Sequence, residues 1–189
     1  MNKPSASAVS LIITVLNEAD TIDLLLKAIS HQTLTPNEII IVDGGSDDQT
    51  PQLIKQFTQA NPDINLKLFL KPGFNISQGR NYAISQAKNE LIAITDAGCV
   101  PDENWLEQLV LTYQQTQKPV VAGYYYGLAV TPFEQAVVPY VLLMPDQVNP
   151  NQFLPASRSV LLEKKVWQKI EGFREDLAVS EDFAFAREL

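Results

Sequence analysis

Three short acidic segments hold the residues best suited to chemistry: IIIVDGGSDDQT around Asp43, DAGC beginning at Asp96, and SEDF beginning at Ser180. In the first, Ile39 to Val42 are consecutive β-branched residues, the composition of a strand buried on both faces of a parallel sheet. Asp43 therefore stands at the carboxyl end of a buried strand. Open α/β sheets bind ligands in the crevice outside those strand ends, and a carboxylate there can accept hydrogen bonds from a base or a ribose. Gly44 and Gly45 let backbone and ligand approach closely. The same residues also suit a plain strand-to-helix turn, with Ser46 or Asp47 as the cap. Asp96 follows a second apolar run, so two carboxylates converge on one sheet edge. Between them GRNYAISQA opens a helix with Arg80, whose guanidinium suits a diphosphate or a base carbonyl. Ser180-Glu181-Asp182 adds a third acidic site at a helix start.

The elements that must position these residues are legible from periodicity. Strands are predicted at Val9–Val15, Glu38–Val42, Asn65–Leu70, Leu91–Thr95 and Pro119–Tyr125. Helices are predicted at Thr21–His31, Asp48–Ala60, Ser77–Lys88 and Asp102–Gln117. This βαβα series implies an α/β fold, a mostly parallel central sheet with helices on both faces. Ile22, Leu25, Leu26 and Ile29 recur at spacings of three and four, the stripe of a helix packed on a sheet. Beyond Tyr126 the regularity weakens, and Pro132, Pro139, Pro145, Pro150 and Pro155 punctuate a stretch bearing Phe133, Tyr140, Leu142, Leu143 and Met144. Such a segment suits a lid, an acceptor wall or a membrane-facing surface, or simply irregular packing. A strand at Ser157–Leu162, a short helix at Glu163–Ile170 and a helix beginning near Ser180 follow. Residues 1–8 read as a loose, disordered tail, and residues 9–189 as a single domain.

Composition narrows the function. A chain of 189 residues with 46% hydrophobic content is long enough for one well-cored domain. Its formal charge of -8, with only 14 basic residues, offers no footprint for a phosphate backbone, so nucleic acid is excluded as the expected partner. The single cysteine, Cys99, cannot form an intramolecular disulfide, which fits a reducing, cytoplasmic compartment. The N-terminus lacks the apolar core of a signal peptide, and no window is long and apolar enough to span a bilayer.

Taken in order, VSLIITVLNE, IIIVDGGSDDQT, GRNYAISQAKNELIAITDAG and SEDFAF resemble the family 2 glycosyltransferases, which have the GT-A fold. The resemblance covers Val9 through about Leu189. It implies an inverting enzyme that moves a sugar from a nucleotide-diphosphate sugar to a hydroxyl acceptor, in polysaccharide or glycolipid biosynthesis. Asp43 would hold the base, and Arg80 the nucleotide. Thr14, Leu16 and Glu18 would flank base and ribose, although Thr14 and Leu16 stand where the family often has proline and an aromatic. Glu18 also fits a first-turn acid favoured by the helix dipole. Asp96 matches the first acid of the family's DxD motif, which meets the ribose and a divalent metal, Mn2+ or Mg2+, bridging the phosphates. The third position here is Gly98, so one carboxylate ligand is lost and weak metal binding follows. Asp102, the nearest further acid, serves either as a helper ligand or as a helix cap.

Asp182 matches the acid of the family's ED motif, the general base, with Glu181 its runner-up. Arg158 would face the acceptor or the diphosphate, and Trp105 is either core or a sugar platform. His31, at a helix C-terminus, and Cys99, a small hydrophobe, read as structural. Gly98 also supports an alternative, a degenerate nucleotide-sugar-binding module without chemistry. Nucleotidyl transfer is the third choice, because Leu16-Asn17-Glu18 occupies the place of a glycine-rich basic loop. Relatives usually continue with more helices beyond FAFAREL, so the sequence reads as truncated. The missing part would complete the acceptor site or carry membrane association.

Overall fold

The computed structural model describes residues 7–149 and 153–189. The tail reading for residues 1–8 therefore falls mostly outside the described residues, and the first strand, β1, spans Val9–Val15. There follow α1 (Ile22–Ser30), β2 (Glu38–Asp43), α2 (Thr50–Ala60), β3 (Leu66–Leu70), α3 (Ile76–Gln86), β4 (Leu91–Ile94), α4 (Trp105–Thr116) and β5 (Val120–Ala122). The chain continues through α5 (Pro132–Val141), β6 (Val160–Glu163), α6 (Lys164–Lys169) and α7 (Glu181–Glu188).

The strands form one sheet in the order β3-β2-β1-β4-β6-β5. β1, β2, β3 and β4 are mutually parallel, with Thr14 opposite Val42 and Ile12 opposite Ile94. Alternation along the buried strands splits the core into two layers. Leu11, Ile13, Ile39 and Ile41 face α1, α2 and α4, where Ile22, Leu25, Leu26 and Ile29 are all buried as the helical stripe predicts. Ile12, Ile40 and Val42 face α3 and α7, among Ala83, Ile84, Phe173 and Phe185. Gly79 lets α3 sit close to β1, since a Cβ there would stand 2.9 Å from the Thr14 Cγ2.

The second half departs from expectation at three points. β6 runs antiparallel to both neighbours and lies between β4 and β5, with Ile94 opposite Val160 and Ala122 also opposite Val160. It begins at Val160 because Ala156 to Ser159 form a turn, closed by the Ser159 amide donating to the Ala156 carbonyl at 3.0 Å. β5 is three residues long, because its sole partner among the described residues is that short strand. The proline-punctuated stretch contains a helix: Thr131 and Glu134 cap α5 reciprocally and Pro132 occupies its first turn, where no amide is needed. Pro150 lies outside the described residues.

Candidate active site

The order β3-β2-β1-β4 reverses between β1 and β4, the switch point at which an open sheet leaves a crevice beyond its strand ends. Side chains stitch the loops that frame it. Asn17, in the left-handed region at φ 57°, accepts from the Asp47 amide at 2.9 Å, while its own amide donates to Ser46 Oγ at 2.8 Å. The Glu18 amide donates to Thr50 Oγ1 at 2.8 Å, and the Ala19 amide to Asp48 Oδ2 at 3.0 Å. The loops after β1 and β2 thus form one wall, and the cleft they border has a volume of about 330 Å³.

Thr14, Leu16, Glu18 and Asp96 all line this cleft, so the structure brings four predicted residues together. Asp43 lies between the lining residues Val42 and Gly44, with only 1% of its surface exposed. Its Oδ1 accepts from the Gly45 and Ser46 amides, each at 2.7 Å. Its Oδ2 is buried without a partner, an arrangement that costs free energy until a donor arrives. Gly44 is required by close packing, since a Cβ there would come within 2.8 Å of the Phe74 carbonyl oxygen. Phe74, Asn75 and Ile76 complete the far wall and were not singled out from sequence. The available signal was the capping box of α3, in which Asn75 and Gln78 exchange hydrogen bonds.

Arg80 is placed beneath the cleft, not among its lining. It is 1% exposed, donating from Nη2 to Asp96 Oδ1 and from Nη1 to Glu181 Oε1, both at 2.8 Å. The stacked rings of Phe173 and Phe185 lie below, with the guanidinium carbon 5.3 Å from the Phe173 centroid. Glu181 is therefore committed to Arg80. Asp182 is half-buried and lines neither cleft, its Oδ1 accepting from the Phe183 amide at 2.8 Å. Ser180, before α7, has a φ of 60° and makes no side-chain cap, so the Glu181 pair is what ties down the start of that helix.

A second cavity of about 550 Å³ adjoins the first at Gly98 and is walled by Trp105, Tyr124, Tyr125, Tyr126 and Arg158. Trp105 is held as a wall, its Nε1 donating to Ser159 Oγ at 2.9 Å. Gly123 makes room for that hydroxyl, since a Cβ there would fall 2.0 Å from it. The three tyrosines follow β5; the strand expected at Pro119–Tyr125 would have included Tyr124 and Tyr125. Asp102 also lines this cavity, in the turn before α4; Asn104 holds the N-cap position without a side-chain cap, and its amide donates to Asp102 Oδ1 at 3.3 Å. The Asp102 carbonyl accepts from the Trp105 amide at 3.0 Å. Cys99 lies here as well, and burial first, then the nearby Asp96 charge, push its thiol up, which opposes thiolate formation. His31 sits at the C-cap of α1 with Nδ1 2.7 Å from the Lys27 carbonyl oxygen, a structural placement.

The donor set does not fit a resident divalent cation. Among the described residues no three His, Cys, Asp or Glu side chains gather to hold one. One Asp96 oxygen is taken by Arg80, and the other lies 4.0 Å from the Arg158 Nε. Hard cations need several oxygen donors, and Gly98 supplies none from a side chain.

A mostly parallel sheet with a lined crevice at its switch point, a buried acid beside it and a second cavity alongside is the doubly wound α/β arrangement, which presents its ligand crevice at the strand ends. The family model described as Glycosyl transferase family 2 matches residues 10–168, and the chain belongs to that family. It is 36% identical over 118 residues to the glycosyltransferase AglE of Haloferax volcanii, covering 61% of this chain and 38% of the relative. It is 28% identical over 134 residues to a cholesterol galactosyltransferase of Borreliella burgdorferi, covering 70% and 37%. Among solved structures, S. aureus TarS 1–349 in complex with UDP superposes with a TM-score of 0.70 at 19% identity, over 95% of this chain and 54% of that one. The mannosyltransferase PcManGT of Pyrobaculum calidifontis, in complex with GDP-Man and Mn2+, gives 0.72 at 20% identity, over 97% and 54%. These likenesses establish the GT-A fold; the chain spans well under two thirds of each relative's length.

Proposed function

We propose that this chain forms the donor-binding and catalytic part of an inverting glycosyltransferase using a nucleotide-diphosphate sugar. The observation that carries the reading is the unpartnered Asp43 Oδ2, buried between Val42 and Gly44, two residues that line the cleft at the switch point. A ring N–H of the base is the donor that suits it. The solved relatives are seen with UDP, UDP-GlcNAc or GDP-Man, which supports a nucleotide-sugar donor without choosing the base.

In this reading the ribose lies over Leu16 and Glu18, and the diphosphate runs past Asp96 toward Gly98. The anomeric carbon then sits where the two cavities meet. The acceptor hydroxyl, entering along Trp105 and the tyrosines, attacks that carbon from the face opposite the diphosphate. A new C–O bond forms, the bond to the phosphate oxygen breaks, and its electron pair leaves with the diphosphate. Asp182 takes the hydroxyl proton. Because Asp182 lines neither cavity, α7 must bring it to the acceptor in the substrate complex, and Glu181 is its anchor. A divalent cation would be held only weakly and together with the donor's phosphates, with Asp96 as its protein anchor. The acceptor is a sugar or a lipid-linked sugar. One cysteine fits a cytoplasmic setting, or the cytoplasmic face of a membrane, and no helix among the described residues is long and apolar enough to cross one.

The test is thermal stabilisation by uridine, guanosine, thymidine, cytidine and adenosine diphosphates, with and without Mn2+. A ligand at about a hundred times its Kd stabilises the folded state by about 2.7 kcal/mol, or about 5–10 °C for a domain of this size. One base should stand out, and Asp43→Ala should abolish the shift. Absence of any shift at millimolar nucleotide would refute the donor reading. Nucleotide binding without turnover would favour the second reading, a binding module that has lost its chemistry, to which Gly98 lends support.

A further inference from the structure

Arg158 occupies a built position. The Thr95 hydroxyl donates to its carbonyl at 3.0 Å, and the residues on either side, Ser157 and Ser159, are buried. Extending the β4–β6 register past its last pair, Ile94 with Val160, sets Arg158 opposite Asp96 at the ligand edge. Its guanidinium lies 5.0 Å from the Tyr125 ring centroid, a contact that holds it over the cavity wall. Its side chain is 43% exposed, whereas Arg80 beside it is sealed under two carboxylates. With its guanidinium held, among the described residues, only by a 4.0 Å approach to Asp96 and by the Tyr125 ring, Arg158 can turn toward a ligand, beside the position where Gly98 supplies no carboxylate to a metal.

We infer that Arg158, in place of a tightly held divalent cation, meets the donor's diphosphate and offsets the charge that develops on it as the sugar leaves. This rests on the donor reading proposed above. When the bond from the anomeric carbon to the phosphate oxygen breaks, the electron pair stays on that oxygen. A planar guanidinium supplies paired N–H donors to two phosphate oxygens at once. Arg158 is then a catalytic residue touching the leaving group, and the reaction depends little on added metal. The single Asp96 carboxylate offsets Arg158 in the resting site.

Calorimetry separates this from the donor reading. The five nucleoside diphosphates and their parent nucleosides are titrated into wild type, Arg158→Ala and Arg158→Lys, in excess chelator and then in Mn2+. Wild type should bind its preferred diphosphate in chelator, with Mn2+ tightening it less than threefold. Arg158→Ala should weaken the diphosphate at least tenfold and leave the nucleoside unchanged, which also certifies the fold. Arg158→Lys should recover part of the loss, since a lysine keeps the charge without the fork. A diphosphate affinity unchanged in Arg158→Ala, or one that rises tenfold or more with Mn2+ in wild type, would overturn the assignment alone. If no nucleoside or diphosphate binds, the donor reading falls and the assignment falls with it.

Discussion

Replacing Arg80 by methionine keeps the apolar stem and removes the charge, leaving two carboxylates that have lost their partner. Their surroundings differ. The Asp96 side chain is 29% exposed and can take water in exchange, so its half of the loss is of surface size, about 1 kcal/mol or less. The Glu181 side chain is 11% exposed and has no other hydrogen-bond partner among the described residues, so its half belongs with broken buried pairs, for which removal of one member costs about 3–5 kcal/mol. The low end is appropriate because α7 can swing Glu181 toward solvent, and we expect a loss of about 3 kcal/mol. At about 2–4 °C per kcal/mol for a domain of this size, the melting temperature should fall by about 6–12 °C. Urea denaturation and calorimetry both measure this. Adding Glu181→Gln to Arg80→Met removes the orphaned charge and should return about 1 kcal/mol, a coupling that a double-mutant cycle detects. A melting temperature within about 3 °C of wild type, together with an additive cycle, would show that water already screens the pair, and the buried-triad argument would fail.

Asp182→Asn should lower turnover at least a hundredfold, the scale of lost general-base catalysis, while nucleotide affinity stays within a factor of two. Retained turnover would remove the assignment. At Gly98 a Cβ would meet nothing within 4 Å and the backbone has no positive φ, so Gly98→Asp should fold normally. It should also raise Mn2+ affinity at least tenfold in the presence of the nucleoside diphosphate, by calorimetry; no gain would mean that the cleft holds the phosphates elsewhere. Glu38 tests the far end of the sheet. Burial alone would raise its pKa, but hydrogen bonds from Lys67, the Lys88 amide and Ser10 outweigh it and hold the carboxyl below its usual range. A lowered folded pKa contributes stability that is complete above about pH 4.3, the ordinary glutamate value, and is lost as pH falls through the folded value. Glu38→Gln should therefore flatten the acid limb of the stability curve, and an unchanged limb would refute this origin.

The parallel half of the fold was readable because each local signal agreed with the tertiary one. The Ile39 to Val42 run is buried throughout, and the α1 stripe faces the sheet. β6 was harder: a three-residue apolar run does not state its direction, and both its neighbours lie far off in sequence. α5 went unread although Thr131 and Glu134 spell a capping box, because the prolines suggested irregular backbone and none of the helix's residues is buried to give a stripe. At the site, Asp43 and Asp96 followed from their strand ends. The pairing of Arg80 with Glu181 across 101 positions had no local signature, and neither did the contact between Arg158 and Asp96.

The reversed course of β6 has an evolutionary corollary. β5 ends, and β6 begins, at the same rim of the sheet, so the stretch from Gly123 to Ser159 leaves from that rim and comes back to it. It can lengthen, shorten or be exchanged without shifting any register among the four parallel strands. On the reading proposed above, selection can therefore retune the acceptor side in one contiguous cassette within Gly123 to Ala156, while Arg158 and the cleft residues upstream of Cys99 are inherited unchanged. A chimera swapping that cassette between family members is the corresponding engineering route to new acceptors.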